Sequence, residues 1–425
     1  MRSATSPGRS PVPAILLSIL VGGVLAFALA YVMAPDGSEP LVTGSVLLGF
    51  GLGWALIAWL TTRFSGQSQQ WLYVPAASLG GVGALLAVLQ PAPSFMDLLG
   101  WVWPVALAVL AIWMFPRLRR ELRGFGRWLV GALTAVLLLM AVAGAAMTVA
   151  AAWASQRAGQ GQVVDIGGRR LYLECTGSGS PAVILQAGAG GDSTAWQRIE
   201  PTIAAKTTVC AYDRAGRGRS DEAPALQDGN AIARDLHDLL TKAGIPGPYV
   251  LVGHSSGGPY LRVYAATYPA DVAGMVLLDP QPATAFTALP DYPSIYHYLK
   301  LSGGLAPSLA RIGLLGPIFG VGPTEATAAL ARSYRDEIRM LPTALDQATR
   351  VTSIGDVPLI IVSAGSGSQR GWAEAQDAQI GLSTNSAHRT LPNATHDSLL
   401  DADSAQSAQA ILDVVAAVRD GAPVR

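Results

Sequence analysis

Residues Tyr249–Pro269 read YVLVGHSSGGPYLRVYAATYP. The apolar, partly β-branched run Tyr249–Val252 has strand character, and Leu261, Tyr264 and Ala265 recur at helical spacing. Between them Gly253–Gly257 spells GHSSG, a G-x-S-x-G turn with Ser255 at its apex. Small residues on both sides let such a turn close sharply and leave the serine Oγ exposed. The helix that follows offers its dipole and free N–H groups to a developing negative charge. In a chain with 47 glycines the bare pattern is weak, because a capping serine in a glycine-rich turn would also satisfy it. The strand before it and the helix after it make Ser255 a candidate nucleophile.

Around this turn the second half of the chain reads as an alternating α/β domain. Candidate strands are Val163–Ile166, Arg170–Cys175, Ala182–Gln186, Thr208–Tyr212, Tyr249–Gly253, Gly274–Leu278, Leu359–Ser363 and His388–Leu391. Several are short, apolar runs of the kind covered on both faces in a parallel sheet. Helical patterns fall between them, such as Asn230–Ala243, with Gly244 as its stop signal. The first strands follow one another closely, as in a meander, and alternation then predicts a mostly parallel wound sheet. From about residue 280 to 356 there is no good strand but there are helical patches, for example Thr324–Leu341. That is too long for a plain loop and reads as a helical cap.

A serine nucleophile needs a base, and the chain has five histidines, at 237, 254, 297, 388 and 396. His254 lies inside the turn, where its ring would point elsewhere, His237 sits mid-helix facing solvent, and His297 lies in the cap. His388 is at the start of the last strand. His396, in LPNATHDSLL, falls on a loop between that strand and the final helix, Asp403–Val418, and is the candidate base. The orienting acid should end a strand. Asp279, in GMVLLDPQP, directly ends the strand after the serine strand; Asp377 is the alternative, with Glu374 beside it. Oxyanion donors are expected from the amides of Ser256 and Ala189, the latter in the glycine-rich loop LQAGAGGDSTAW. That loop lacks the lysine and the spacing of a phosphate cradle. Nothing in the pattern calls for a cofactor or a metal.

The first third is of another kind. The composition is half hydrophobic with 14% charged residues, and the apolar excess is concentrated between Pro13 and about Trp153. Five stretches approach the roughly 20 residues needed to span a bilayer: about Ala14–Met33, Leu41–Leu60, Trp71–Leu89, Leu98–Phe115 and Trp128–Ala150. Arg2 and Arg9 precede the first, Asp36 and Glu39 follow it, and Arg63 follows the second. Arg117, Arg119, Arg120, Arg123 and Arg127 crowd the last connection. Basic loops belong on the cytoplasmic side, so five spans with an inside N-terminus place everything after Trp153 outside the cytoplasm. The start also resembles a signal peptide with ALA at Ala28–Ala30, and cleavage there would leave the same external location. The expected domains are therefore a transmembrane region, 1–153, and an α/β domain, 154–425. A net charge of zero and the lack of a basic stripe argue against nucleic acid as a partner.

Taken in order, LQAGAGG, YDRAGRGRSD, VLVGHSSGG, VLLDP and ATHDSLL resemble the α/β-hydrolase family, of the type with a cap between the sixth and seventh strands. The resemblance covers about Gly161 to Val418. It implies Ser255 as nucleophile, His396 as base and the amides of Ala189 and Ser256 as the oxyanion hole. Two departures stand out: many members have His-Gly where this chain has Ala187-Gly188, and many carry the acid after the seventh strand, whereas some place it after the sixth, as Asp279 would be. Asp213 and Arg214 in YDRAGRGRSD are expected to fix the loop beside the site. In the strand order the family implies, the strands of Cys175 and Cys210 are neighbours, and an external domain would allow a disulfide.

The expectation is a membrane-anchored serine hydrolase acting outside the cytoplasm on an ester, amide or lipid-like acyl substrate. Acyl transfer by the same residues is the near variant. A membrane sensor or transporter with a non-catalytic ligand-binding domain is the reading from another class. The apolar stretches contain no interior ionisable residue of the kind that marks a transport path, which favours anchoring.

Overall fold

The computed structural model describes residues 10–65, 69–155, 160–320, 322 and 326–424; Arg2, Arg9, Thr324 and the stalk residues 156–159 lie outside them. The chain divides into two compact units, Met1–Arg157 with Leu299–Arg332, and Ala158–Tyr298 with Ser333–Arg425.

The first unit is helical. Its N-terminal part consists of α1 (Val12–Met33), α2 (Glu39–Phe64), α3 (Tyr73–Leu89), α4 (Pro93–Glu121) and α5 (Phe125–Ser155). Each of these, α3 with the short turn before it, is long and apolar enough to cross a membrane. Ser38 starts α2 by accepting the Leu41 N–H, with Pro40 in the first turn. α2 uses glycines to let two neighbours approach closely. A Cβ at Gly49 would stand 2.4 Å from Ala26 Cα of α1, and one at Gly51 would stand 2.5 Å from Gly80 Cα of α3. Small residues at such contacts are how helices pack where lipid removes the hydrophobic drive.

Residues Leu299–Arg332 belong to this unit, so the division runs through the segment 280–356 that the sequence suggests is one cap. Apolar packing of Met147 on Ala306, Ala310 and Leu315 and a set of ion pairs tie the segment to these helices. Glu39, 1% exposed, pairs with Arg311 and with Arg332 Nη1 at 3.1 Å. Asp97 takes Arg311 Nη2 at 3.0 Å and Arg332 Nη2 at 2.9 Å. Among the described residues, two acids and two arginines thus form one ion cluster. Lys300 adds a bond to Asp36 at 2.7 Å, and Ser308 shares a hydrogen bond with Thr43 at 2.8 Å. All these acids lie at one end of the helices, whereas Arg119 and Arg120 lie in the last turn of α4, about 40 Å along it from its start.

The second unit is built on one eight-stranded sheet: β1 (Gln162–Asp165), β2 (Arg170–Thr176), β3 (Val183–Gln186), β4 (Val209–Tyr212), β5 (Tyr249–His254), β6 (Val272–Leu278), β7 (Leu359–Ala364) and β8 (Ser386–Leu391). Their order is β1-β2-β4-β3-β5-β6-β7-β8. β1 and β2 pair antiparallel, β2 meets β4 antiparallel, and every later pair is parallel. All eight expected strands exist, with ends shifted by at most two residues. The helices are α6 (Glu200–Ala204), α7 (Gly229–Lys242), α8 (Gly257–Thr267), α9 (Ala285–Ala288), α10 (Tyr292–Arg311), α11 (Leu315–Phe319), α12 (Ala328–Thr349), α13 (Trp372–Ala378) and α14 (Ser404–Asp420). Of these α11 and parts of α10 and α12 lie in the first unit.

Both sheet faces are buried. On one, Ile184, Leu251, Met275 and Ile361 pack with Leu236, Leu239 and Tyr264; on the other, Leu185, Val252, Val276 and Ile360 pack with Ile411 and Val414. That is why the central strands are apolar at every position instead of alternating. Cys175 and Cys210 stand opposite each other across β2 and β4 and form a disulfide.

Candidate active site

Ser255 sits between β5 and α8 at φ +54°, in the left-handed region that few residues other than glycine adopt. The strain is held by the surroundings: the Ser255 N–H donates to the Leu278 carbonyl at 3.2 Å, and its carbonyl accepts from Gly258 and Gln281. The flanking glycines are required sterically. A Cβ on Gly253 would lie 2.8 Å from the Gly257 carbonyl carbon, and one on Gly257 would lie 2.5 Å from the Gln186 carbonyl oxygen.

Asp279 follows β6 directly, is 2% exposed and has φ +40°. Its N–H donates to the Val362 carbonyl at 2.6 Å, which fixes the turn against β7. Oδ1 accepts from the Ala364 N–H at 3.2 Å and the Trp372 Nε1–H at 2.9 Å. Oδ2 lies 2.6 Å from His396 Nδ1. With both oxygens satisfied by donors, the carboxylate fixes the His396 tautomer, Nδ1 carrying the proton and Nε2 left as the acceptor. Trp372 also sets its ring edge-on to His396 at 6.3 Å. The structure therefore brings Asp279 and His396 together.

It separates the other candidates. Asp377 Oδ1 lies 2.6 Å from His388 Nδ1, and His388 Nε2 lies 2.8 Å from Ser363 Oγ, so the alternative acid belongs to a second serine–histidine–aspartate chain. Ser363 is 3% exposed on β7, out of reach of a substrate. Glu374 is exposed on α13. His237, expected on the surface, is one-third exposed, stacks on Tyr268 and lies 2.9 Å from Asp271.

The sequence reading missed His254. Its ring is buried 4.5 Å from the His396 ring, and Nε2 lies 3.0 Å from the His396 carbonyl oxygen. An acceptor there requires Nε2–H, so His254 donates and holds the loop that carries the candidate base. Burial, reinforced by the neighbouring His396, pushes its pKa down to about 4 and keeps it neutral. Its place beside Ser255 in GHSSG was visible; its contact with residue 396 depends on the fold.

The glycine-rich loop passes over the serine. A Cβ on Gly188 would stand 2.8 Å from Ser255 Cβ. Among the described residues, no acceptor of the chain takes the N–H of Ala189 or of Ser256. These two amides, one on the loop and one following the serine, are the donors expected of an oxyanion hole. Asp213 secures the neighbouring turns, accepting from Ser193 N–H at 2.7 Å and Arg219 N–H at 2.8 Å. Arg214 donates to the Ala187 and Gly188 carbonyls. Both act on the loop beside the site, as expected. Among the described residues no cluster of three or more histidine, cysteine or acidic side chains could hold a metal.

A strained serine after the fifth strand, an acid after the sixth and a histidine after the eighth, on a sheet whose second strand alone runs antiparallel within the main set, define a known architecture. A family model described as the alpha/beta hydrolase fold matches residues 181–299. The second unit has the α/β-hydrolase fold. A solved protein from Nostoc sp PCC 7120, described as an α/β hydrolase, superposes with TM-score 0.51 at 18% identity over 60% of this chain and 97% of its own. Protein YqjL of Bacillus subtilis (strain 168) is 25% identical over 228 residues, 52% of this chain and 78% of YqjL. RutD of Azorhizobium caulinodans, named as a carbamate hydrolase, is 33% identical over 109 residues, 26% of this chain and 40% of RutD.

Proposed function

We propose that the chain is a membrane-anchored serine hydrolase that cleaves an ester, amide or lipid-like acyl substrate outside the cytoplasm, through an acyl-enzyme on Ser255. The observation that carries this reading is the 2.6 Å bond between His396 Nδ1 and Asp279 Oδ2, in a unit whose serine is held in a strained turn at φ +54°. In the proposed cycle His396 Nε2 removes the Ser255 proton as Oγ attacks the substrate carbonyl carbon. The amides of Ala189 and Ser256 stabilise the resulting oxyanion. Collapse expels the leaving group, protonated by His396. Water then attacks the acyl-serine, His396 takes its proton, and the acid product leaves with Ser255 regenerated.

The external location rests on charge. The arginine-rich connection between α4 and α5 is at the opposite end of the helices from Glu39 and Asp97, which Arg311 and Arg332 engage. By the positive-inside rule the arginine-rich end faces the cytoplasm, so residues 299–332 are on the other side. The bilayer is then the partner of five anchoring helices, and the reading needs no nucleic acid, metal or cofactor.

The test is labelling of the full-length protein in detergent with a fluorophosphonate probe, followed by peptide mapping. The adduct is expected on Ser255 and is lost in Ser255→Ala and His396→Ala. An unlabelled wild type, or an adduct mapped to Ser363, sinks the reading. Thiol-blocking mass spectrometry on native membranes checks the side: two free cysteines would count against an external domain.

A further inference from the structure

The mechanism above leaves a buried ion pair unused. Arg214, on the loop after β4, has a side chain only 3% exposed, and its Nη2 donates to Glu337 Oε1 at 2.6 Å. Arg214 Nε reinforces that bond at 3.0 Å. Continuum reasoning makes such buried pairs poor sources of stability, since replacement by apolar residues is often neutral. What distinguishes this pair is where its remaining bonds go. Nη1 of Arg214 donates to the Ala187 carbonyl at 2.6 Å and Nη2 to the Gly188 carbonyl at 2.7 Å, while Glu337 Oε2 accepts the Gly190 N–H at 2.7 Å. The two charges thus grip the loop on both sides of Ala189.

Peptide geometry turns this grip into a statement about the site. The group joining Gly188 to Ala189 is planar and trans, so its C=O and N–H point in opposite directions. Holding the Gly188 carbonyl on the guanidinium therefore fixes the direction of the Ala189 N–H, away from Arg214. Holding the Gly190 N–H on Glu337 stops the following peptide from rotating to compensate. The loop needs an external grip because it is rich in glycine, with Gly188, Gly190 and Gly191 around Ala189, and glycine does not restrain its own dihedrals. A cation on the carbonyl end also polarises the peptide and strengthens the dipole at its N–H end.

We infer that Arg214 and Glu337 are positioning residues for the oxyanion hole, which they build by clamping the loop so that the Ala189 N–H faces the developing charge. Glu337 lies on α12, some 150 residues away in the chain from the loop it holds, so this helix helps to complete the donor set. The inference rests on the serine-hydrolase reading and concerns only its donor geometry.

The test uses the full-length protein in detergent and four variants: Arg214→Lys, Arg214→Met, Glu337→Gln and the double Arg214→Met/Glu337→Met. The double variant removes both charges at similar volume but also strands the Ala187 and Gly188 carbonyls and the Gly190 N–H, so circular dichroism selects the conditions under which it is folded before turnover is read. Its kcat on a p-nitrophenyl ester is expected to fall about 100-fold, the lower bound for losing one oxyanion donor, with KM within threefold. The inhibition constant of an aryl trifluoromethyl ketone, which binds as a tetrahedral oxyanion, is expected to rise in proportion to the fall in kcat/KM across the series. Glu337→Gln, which keeps an acceptor for Gly190, loses about tenfold. A folded double variant with kcat and ketone affinity within threefold of wild type overturns the clamp and leaves the hydrolase reading intact. A wild type that neither turns over esters nor labels on Ser255 overturns both.

Discussion

Replacing Asp279 by asparagine tests the site at its most constrained atom. The left-handed backbone at residue 279 suits asparagine as well as aspartate, so the substitution adds little strain. What changes is one oxygen for an NH₂, and the structure dictates which one. Oδ1 accepts from two donors, the Ala364 N–H and Trp372 Nε1–H, so an NH₂ placed there would face both and forfeit two buried hydrogen bonds. At about 1–3 kcal/mol for each unsatisfied buried group, that orientation is disfavoured by about 2–6 kcal/mol. The amide oxygen therefore takes the Oδ1 place and the NH₂ faces His396 Nδ1. A donor there forces Nδ1 to become an acceptor, which moves the imidazole proton to Nε2. His396 in that tautomer cannot take the serine proton. The loss expected from the wrong tautomer is about 10⁴ in kcat, or about 5.5 kcal/mol of barrier, with the fold retained. The assay is turnover of p-nitrophenyl butyrate by the full-length protein in detergent, with circular dichroism as a check of folding. Asp377→Asn, whose side chain bonds to His388 and not to His396, should stay within threefold of wild type. An Asp279→Asn protein within tenfold of wild type, or an Asp377→Asn protein equally impaired, would refute the assignment.

Three further outcomes are expected. His254 has its pKa lowered from 6.5 to about 4 in the fold, so the unfolded chain binds the extra proton; stability present above pH 6.5 is lost as pH falls toward 4, on the order of 3 kcal/mol, and denaturant titrations of His254→Gln should show a flatter profile across that window. Gly188→Ala places a Cβ 2.8 Å from Ser255 Cβ, so kcat on the same ester should drop about 100-fold while overpacking costs only about 1–3 kcal/mol of stability; unchanged turnover would mean the loop does not bear on the serine. Glu39→Gln removes one of the carboxylates that Arg311 and Arg332 share and should destabilise the first unit by about 3–5 kcal/mol in detergent melts, with Glu39→Gln/Arg332→Met recovering at least half; a melt unchanged by Glu39→Gln would show that the cluster is not a buried ion network.

Much of this protein could be read directly from its residues, for identifiable reasons. Long apolar runs mark the five helices because a bilayer-spanning segment must satisfy its own backbone and expose only apolar side chains. The eight strands were readable because a sheet covered on both faces demands unbroken apolar segments, as at Leu251–Val252 and Ile360–Ile361. GHSSG and the final loop with His396 were readable because steric closeness at Gly253 and Gly257 restricts residue type locally. What needed the tertiary structure were the partnerships between residues far apart in the chain. Asp279 and Asp377 are both carboxylates within reach of a histidine in chain order, and only the placement of β6 beside β7, with α13 over the outer strands, gives the first to His396 and the second to His388. His254 on His396, Arg214 with Glu337 around the Ala189 loop, and Arg311 and Arg332 on Glu39 and Asp97 belong to the same kind. A sequence specifies local propensity and burial pattern strongly, because those act on neighbouring residues. A charge or hydrogen bond between distant residues has no period and no spacing, and it exists only once the sheet and helices bring the two groups within about 3 Å.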